Sequence, residues 1–470
     1  MSGEELCWRS IEELGRGYRR REFSPVEVTS ALLERIAKLN GRLKSFLAVL
    51  EESALRQAQE AERRYLAGAP LGPLDGVPLS VKDLFHIAGL PTTAASRILA
   101  DAVATADSAV VERLKRVGAV LLGKTNLHEF AYGPTGVSPH VAPARNPWNP
   151  EHVCGGSSSG SAAAVAAGLS QGSVGSETGA SVRRPAAFCG VVGLKPTCGR
   201  ISRYGMLPAA WSLDAVGVFA RTVVGAATLT RALMGRDPRD PFSSRRPVPE
   251  ELTGIAGGVN GLRVGVPRAY LADVDPEGLA AFEAALETFR RLGAKVEDLP
   301  LPGVRFAAVT STVVASSETT AYHRQWLAER PQDYGADVRG RLYLGVTIGA
   351  SEYLLGQRAR RLIAGEIREA LSRVDLLAAP TAPGPAPRIA DGLPALNDRP
   401  LEVGAHHTNL VRLPSLLGLP TTSLPCGWNS KGLPLGMQLI GRPFDEPTLL
   451  GAARAFEQAA GWAERRPPLP

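Results

Sequence analysis

Two turns built of serine and glycine, and one lysine behind a short apolar run, are the parts of this chain whose residue types suit covalent chemistry. The first turn is Gly155-Gly156-Ser157-Ser158-Ser159-Gly160-Ser161. The second is Gly175-Ser176-Glu177-Thr178-Gly179-Ala180-Ser181-Val182-Arg183. Small residues let backbone approach a bound molecule, and successive amides in such turns can stabilise an oxyanion. A serine hydroxyl becomes a nucleophile only with a base to take its proton. The base could be a lysine whose burial lowers its pKa. Lys82, in Gly76-Val77-Pro78-Leu79-Ser80-Val81-Lys82-Asp83, is such a residue, in a chain with only eight lysines among 53 cations. Taken separately, a surface lysine paired with Asp83 and a serine helix cap are the plainer readings.

Two other patterns match known motifs and lack their context. Gly118-Ala119-Val120-Leu121-Leu122-Gly123-Lys124-Thr125 satisfies the phosphate-loop expression. That motif works through exposed amides between a strand and a helix, and Ala-Val-Leu-Leu reads as the strand itself. Gly156-Ser157-Ser158-Ser159-Gly160 fits G-x-S-x-G, yet His323, His406 and His407 do not follow a strand beside a matched acid. Five scattered cysteines without a C-x-x-C pair and seven dispersed histidines argue against a disulfide framework and a metal site. No metal or other cofactor is expected.

The elements that must position these residues alternate in type. Ser24-Pro25-Val26-Glu27 is a capping box, followed by Val28, Leu32, Ile36 and Leu39 at helical spacing. Short apolar runs at 77–81, 119–122 and 191–194 predict strands, and 107–117 predicts a helix between them. The run 161–168 is too apolar for a linker and reads as a buried helix. A proline-rich, charged break spans 235–258. Beyond it, strands are expected at 262–266, 295–299, 375–379, 421–425 and 436–440, with helices at 277–292 and 448–460. The expectation is an α/β fold, one large domain with a central mixed β-sheet covered by helices on both faces. The net charge of +7 is spread along the chain and reads as solvated arginine-rich faces. No stretch approaches the ~18 apolar residues of a membrane span, and the acidic start is unlike a signal peptide. A soluble, cytoplasmic protein is expected.

Beyond these single features, the chain resembles the amidase signature family over nearly its whole length. The blocks that carry the resemblance are 76–83, 123–130, 155–161, 175–183 and 188–197, with a C-terminal run from Gly418-Leu419-Pro420 through Pro425-Cys426-Gly427 to Gly441-Arg442-Pro443. The resemblance implies a Ser-cisSer-Lys triad: Ser181 as nucleophile, Ser157 as bridging serine after a cis Gly156–Ser157 peptide, and Lys82 as base. It implies an oxyanion hole from the backbone amides of Thr178, Gly179, Ala180 and Ser181, with Ser158 and Arg183 in support. It divides residues 1–470 into N-terminal helices (1–66), a catalytic signature core (70–220), a variable substrate-side segment (240–373) and a C-terminal return to the sheet (374–470). Three departures stand out: Glu177 where the family has aspartate, Ala180 for the second glycine, and Val218 for a proline.

By that resemblance the expected activity is hydrolysis of a carboxamide C–N bond through an acyl-enzyme on Ser181, releasing ammonia or an amine and a carboxylate. The alternative is the glutamine-hydrolysing A subunit of a tRNA-dependent amidotransferase. Against it, the segment 321–361 lacks the family's D-G-V-R-Y-G stretch and carries Tyr322-His323-Arg324-Gln325-Trp326 instead. A nucleotide-binding role for Lys124 is the third class weighed. His128, Tyr132 and Trp211 are read as substrate-binding by placement. The expected partner is a small-molecule amide, with no membrane and no nucleic acid, and the N-terminal helices leave room for a homodimer.

Overall fold

The structure, a computed structural model, describes residues 2–250, 252, 258–390 and 405–469; the side chains of His406 and His407 fall outside the described residues. The capping box forms as read. Ser24 Oγ accepts from the Glu27 amide at 3.2 Å and the Glu27 carboxylate from the Ser24 amide at 2.7 Å, starting the helix Pro25–Leu43. Val28, Leu32, Ile36 and Leu39 are its buried stripe.

The strands are β1 (Phe46–Val49), β2 (Pro78–Lys82), β3 (Val120–Thr125), β4 (Gly172–Glu177), β5 (Val192–Lys195), β6 (Ala215–Ala220), β7 (Arg263–Val266), β8 (Lys295–Asp298), β9 (Leu376–Pro380), β10 (Thr421–Trp428) and β11 (Pro434–Gly441). They form one sheet in the order β1-β3-β2-β4-β6-β5-β10-β11-β9-β7-β8. Parallel pairs (β2 with β3 and β4, β7 with β8 and β9) sit among antiparallel ones, so the sheet is mixed. The seam between the chain's halves is antiparallel, with Thr421 opposite Lys195 and Ser423 opposite Gly193.

Helices cover both faces. A side chain on Gly436 would meet Ala187 of the helix Arg183–Cys189, and one on Gly441 would meet Leu449 of the helix Glu446–Ala460. The two glycines are an odd number of residues apart on β11, so they face opposite sides. The phosphate-loop match at 118–125 is mostly β3, buried throughout. Lys124 is spent inside: its Nζ lies 2.5 Å from Asp83 Oδ1 and donates to the Pro91 carbonyl and to Thr92 Oγ1.

Candidate active site

Lys82 ends β2. Parallel pairing places Val81 beside Val174, so the next residue of β2 runs alongside the end of β4. Its amine donates to Ser157 Oγ at 2.7 Å and to Ser176 Oγ at 2.9 Å. The side chain is wholly buried. Burial holds the Lys82 ammonium well below its ordinary pKa, and the negative charges of Asp214 and Glu177 only partly oppose this.

The first serine turn is fixed from three sides. The Gly156–Ser157 peptide is cis. The Ser157 carbonyl accepts from the His128 amide at 3.0 Å, and the Ser158 amide donates to the Ser181 carbonyl at 3.3 Å. Ser158 Oγ donates to the Ser176 carbonyl at 3.2 Å. The helix Ser159–Ala166 then leaves the turn, buried all round as its alanine content requires.

Glu177 organises the second turn. Its Oε2 accepts from the amides of Val182 and Arg183, both at 3.1 Å, capping the helix Arg183–Cys189. Its Oε1 accepts from Arg183 Nε at 2.8 Å and from Ser415 Oγ at 2.9 Å. Burial raises the Glu177 pKa, but the Arg183 and Lys195 charges outweigh it and hold the carboxyl below its ordinary value. The chain between the carboxylate and the helix it caps is the loop Thr178–Ser181. None of those four amides donates a hydrogen bond among the described residues. Ala180 takes φ +84°, the left-handed region where an alanine is strained. Thr178 is anchored by its hydroxyl, which donates to Asp214 at 2.5 Å.

The structure therefore brings Lys82, Ser157, Ser158 and the 178–181 loop together. Arg183 is saturated: Nη1 donates to Gln438 Oε1 at 2.5 Å, and Nη2 to the Val411 carbonyl and Ser415 Oγ. It ties the second turn to the C-terminal third of the chain. His128 braces the serine turn, its Nδ1 accepting from the Gly136 amide while Nε2 faces Asp337 at 3.2 Å. Tyr132 is half-buried, its hydroxyl 2.9 Å from Ser316 Oγ. Trp211 is exposed and lines an open groove of about 220 Å³ with Arg203, Tyr204 and Phe242. Ser176 was missed as a lysine partner. Pairing β2 with β4 in register would have found it, since that register carries Lys82 to the end of β4.

A buried lysine–serine pair beside a loop of free amides is equipment for acyl transfer at an amide or ester. The chain belongs to the Amidase family, whose model matches residues 27–450. It is 40% identical to the A subunit of the glutamyl-tRNA(Gln) amidotransferase of Geobacter metallireducens, over 97% of this chain and 98% of that one. One solved structure, from a study of a vestigial protein complex and the origins of an s-triazine catabolic enzyme, is 34% identical with a TM-score of 0.89. The match covers 98% of this chain and all of that one. The A subunit of the glutamyl-tRNA(Gln) amidotransferase of Thermotoga maritima is 34% identical with a TM-score of 0.79, over 98% and 95% of the two chains. These likenesses correct the expectation of a small-molecule partner alone and no nucleic acid: full-length relatives are named as one component of a glutamyl-tRNA(Gln) amidotransferase. The missing D-G-V-R-Y-G stretch does not set the chain apart from these relatives, since the likeness runs over nearly the whole length. The family blocks at 76–83, 155–161 and 175–183 form the buried site.

Proposed function

We propose that this chain is the amide-hydrolysing component of an amidotransferase of the glutamyl-tRNA(Gln) type, taking ammonia from glutamine through an acyl-enzyme on Ser181. The observation that carries the chemistry is the Lys82 amine, buried and 2.7 Å from Ser157 Oγ. Neutral Lys82 draws a proton through Ser157 as Ser181 Oγ attacks the amide carbonyl. The amides of the 178–181 loop receive the oxyanion; a donor of this kind is worth about 3–4 kcal/mol. The proton passes by the same relay to the leaving nitrogen, ammonia departs, and water hydrolyses the ester. Support for the assembly comes from the relatives' names across the whole chain. A cytoplasmic location follows from that reading; no helix among the described residues is long and apolar enough to cross a membrane.

Ammonia release from glutamine and from a panel of aliphatic and aromatic amides tests this, with Ser181→Ala beside wild type. Each is assayed alone and with partner subunits and glutamyl-tRNA(Gln). Release from glutamine that rises with the partners and vanishes in the variant is the expected result. Activity surviving in Ser181→Ala would remove the site assignment, and indifference to partners would remove the assembly.

A further inference from the structure

We propose that the segment 323–337 is a clamp on the turn His128–Ala131, and that Asp337, acting through His128, is a positioning residue for the bridging serine Ser157. The inference rests on Ser157 relaying the proton between Ser181 and Lys82, and adds what holds that serine in place.

Three successive residues of the turn are held by that segment. His128 Nε2 lies 3.2 Å from Asp337 Oδ2, in the first turn of the helix Ala336–Val346. Glu129 Oε2 accepts from the Gly335 amide at 2.9 Å, while its Oε1 accepts from Ser96 Oγ at 2.6 Å. The Phe130 ring meets His323 edge-on at 4.4 Å, stacks on Trp326 at 6.0 Å and lies 5.7 Å from Tyr334. Phe130 and Ala131 both take positive φ, +50° and +56°, a left-handed conformation that persists only where neighbours over-determine it. Asp337, Gly335 and the three rings all fall in the stretch 321–361, where D-G-V-R-Y-G is absent.

From this turn the contact runs on to Ser157 by two routes. The His128 amide donates to the Ser157 carbonyl at 3.0 Å. The His128 ring also supports the loop 133–136: a Cβ on Gly133 would fall 2.0 Å from its Nε2, and the Gly136 amide donates to its Nδ1 at 3.3 Å. That loop in turn lies against Gly156. The Gly156 amide donates to the Pro134 carbonyl at 2.6 Å, and a Cβ on Gly156 would fall 2.6 Å from the Gly133 carbonyl oxygen and 2.8 Å from the Gly136 nitrogen. A shift of the His128 ring therefore reaches the bridging serine from both sides.

The orientation of that ring is set chemically. A backbone amide can only donate, so His128 Nδ1 accepts from Gly136 and the ring proton sits on Nε2, facing Asp337. Thr135 Oγ1 lies 3.2 Å from the same Nδ1. A hydrogen bond from Nε2–H to a carboxylate is charge-assisted and of the stronger kind. Arg341 Nε takes the other carboxylate oxygen, Oδ1, at 3.0 Å, which leaves Oδ2 aimed at His128. Burial raises the Asp337 pKa, but the His128 hydrogen bond and the Arg341 charge outweigh it and hold the carboxyl below its ordinary value. His128 itself is buried, so among the described residues its ring is fixed by Asp337 on one nitrogen and by its own loop on the other.

Structure and reactivity are read separately, on the full chain. Selective 15N-histidine labelling reports the His128 ring and backbone amide by NMR, with His128→Gln to assign them. A fluorophosphonate, which an activated serine attacks with loss of fluoride, reports the nucleophile whatever the amide substrate. Wild type should show the Nε2–H tautomer at His128. Asp337→Ala should lose that signature, and its His128 amide should exchange with solvent at least about 10-fold faster. Ser181 labelling in Asp337→Ala should slow about 10- to 100-fold at saturating probe, with half-saturation unchanged. Asp337→Asn keeps an acceptor for Nε2–H and should retain most of the rate. Glu369→Ala, on an exposed helix face, is the control. The Asp337 side chain is 54% exposed, so its variants should fold, as melting curves check. An Nδ1–H tautomer in wild type, a His128 amide whose exchange ignores Asp337, or a labelling rate unchanged in Asp337→Ala would overturn the clamp. So would a loss confined to half-saturation, which would set Asp337 against the bound molecule instead. Absence of labelling at Ser181, with both histidine readouts as expected, would remove the Ser181 reading and leave the clamp standing.

Discussion

In the proposed mechanism Lys82 is the base, and burial pushes its amine toward the neutral form that role needs, with two serine hydroxyls as its polar partners. The sign of its pH dependence follows. Its folded pKa lies below the ordinary 10.5, so in that window the unfolded chain binds the proton that the folded chain has lost. Stability therefore rises as pH climbs from the folded pKa towards 10.5, and the penalty is complete below the folded pKa. Activity should rise with pH as the amine becomes neutral, with a midpoint well below 10.5, in a kcat/KM profile for any accepted amide. A limb at the free-lysine value would show that Lys82 is not the group titrating. Lys82→Met should lower kcat by about 10²–10⁴-fold while its stability loses the slope between the two pKa values. Lys82 could be noticed in the sequence because lysine is scarce and this one ends an apolar run. Its second partner, Ser176, could not be seen without strand register, since hydroxyl contacts across a sheet leave no pattern along one strand.

At the level of elements, the site is a strand end, two turns and two short helices held by one carboxylate. Glu177 caps the helix that follows Ser181, neutralises Arg183 and takes the Ser415 hydroxyl, so it links β4, the second turn and the C-terminal third. Breaking a buried pair by removing one partner costs about 3–5 kcal/mol, and Glu177→Ala should lower the denaturant-derived stability by that much. In wild type, stabilisation from the depressed Glu177 pKa is present above the ordinary 4.5 and is lost as pH falls through the folded value. The variant should lack that acid-limb contribution; an unchanged acid-denaturation curve would mean that Glu177 is not charged in the fold. The strands with apolar runs, β2, β3, β5, β7, β9, β10 and β11, were legible from composition. β4 was not, because Gly-Ser-Val-Gly-Ser-Glu looks like a loop. Its small residues are needed for packing: a Cβ on Gly175 would come within 2.8 Å of both Ser158 Oγ and the Phe219 ring. Where a sheet must admit a turn bearing the chemistry, the usual β-branched signature is absent for steric reasons.

Over the whole molecule, the two halves of the chain are incomplete separately. β5 finds its second neighbour only in β10, from the far end of the sequence. Arg183, from the first half, finds Gln438, Val411 and Ser415 in the second, and Arg200 pairs with Glu446 at 3.2 Å. The charged break at 235–258 that resembles a domain linker therefore joins two parts of one sheet. Expressed alone, residues 1–250 would expose the β5 edge and leave Arg183 short of three acceptors, a state prone to edge-to-edge aggregation. The expected outcome is that fragments 1–250 and 251–470 are each insoluble alone and co-purify as a folded pair when expressed together, read by size-exclusion chromatography and a single cooperative melt. The paired fragments should retain part of the wild-type amide turnover, because every group around Lys82 and Ser181 is then present. A fragment 1–250 that is soluble by itself and melts cooperatively would show that the core folds without its C-terminal strands, and the single-domain account would fail.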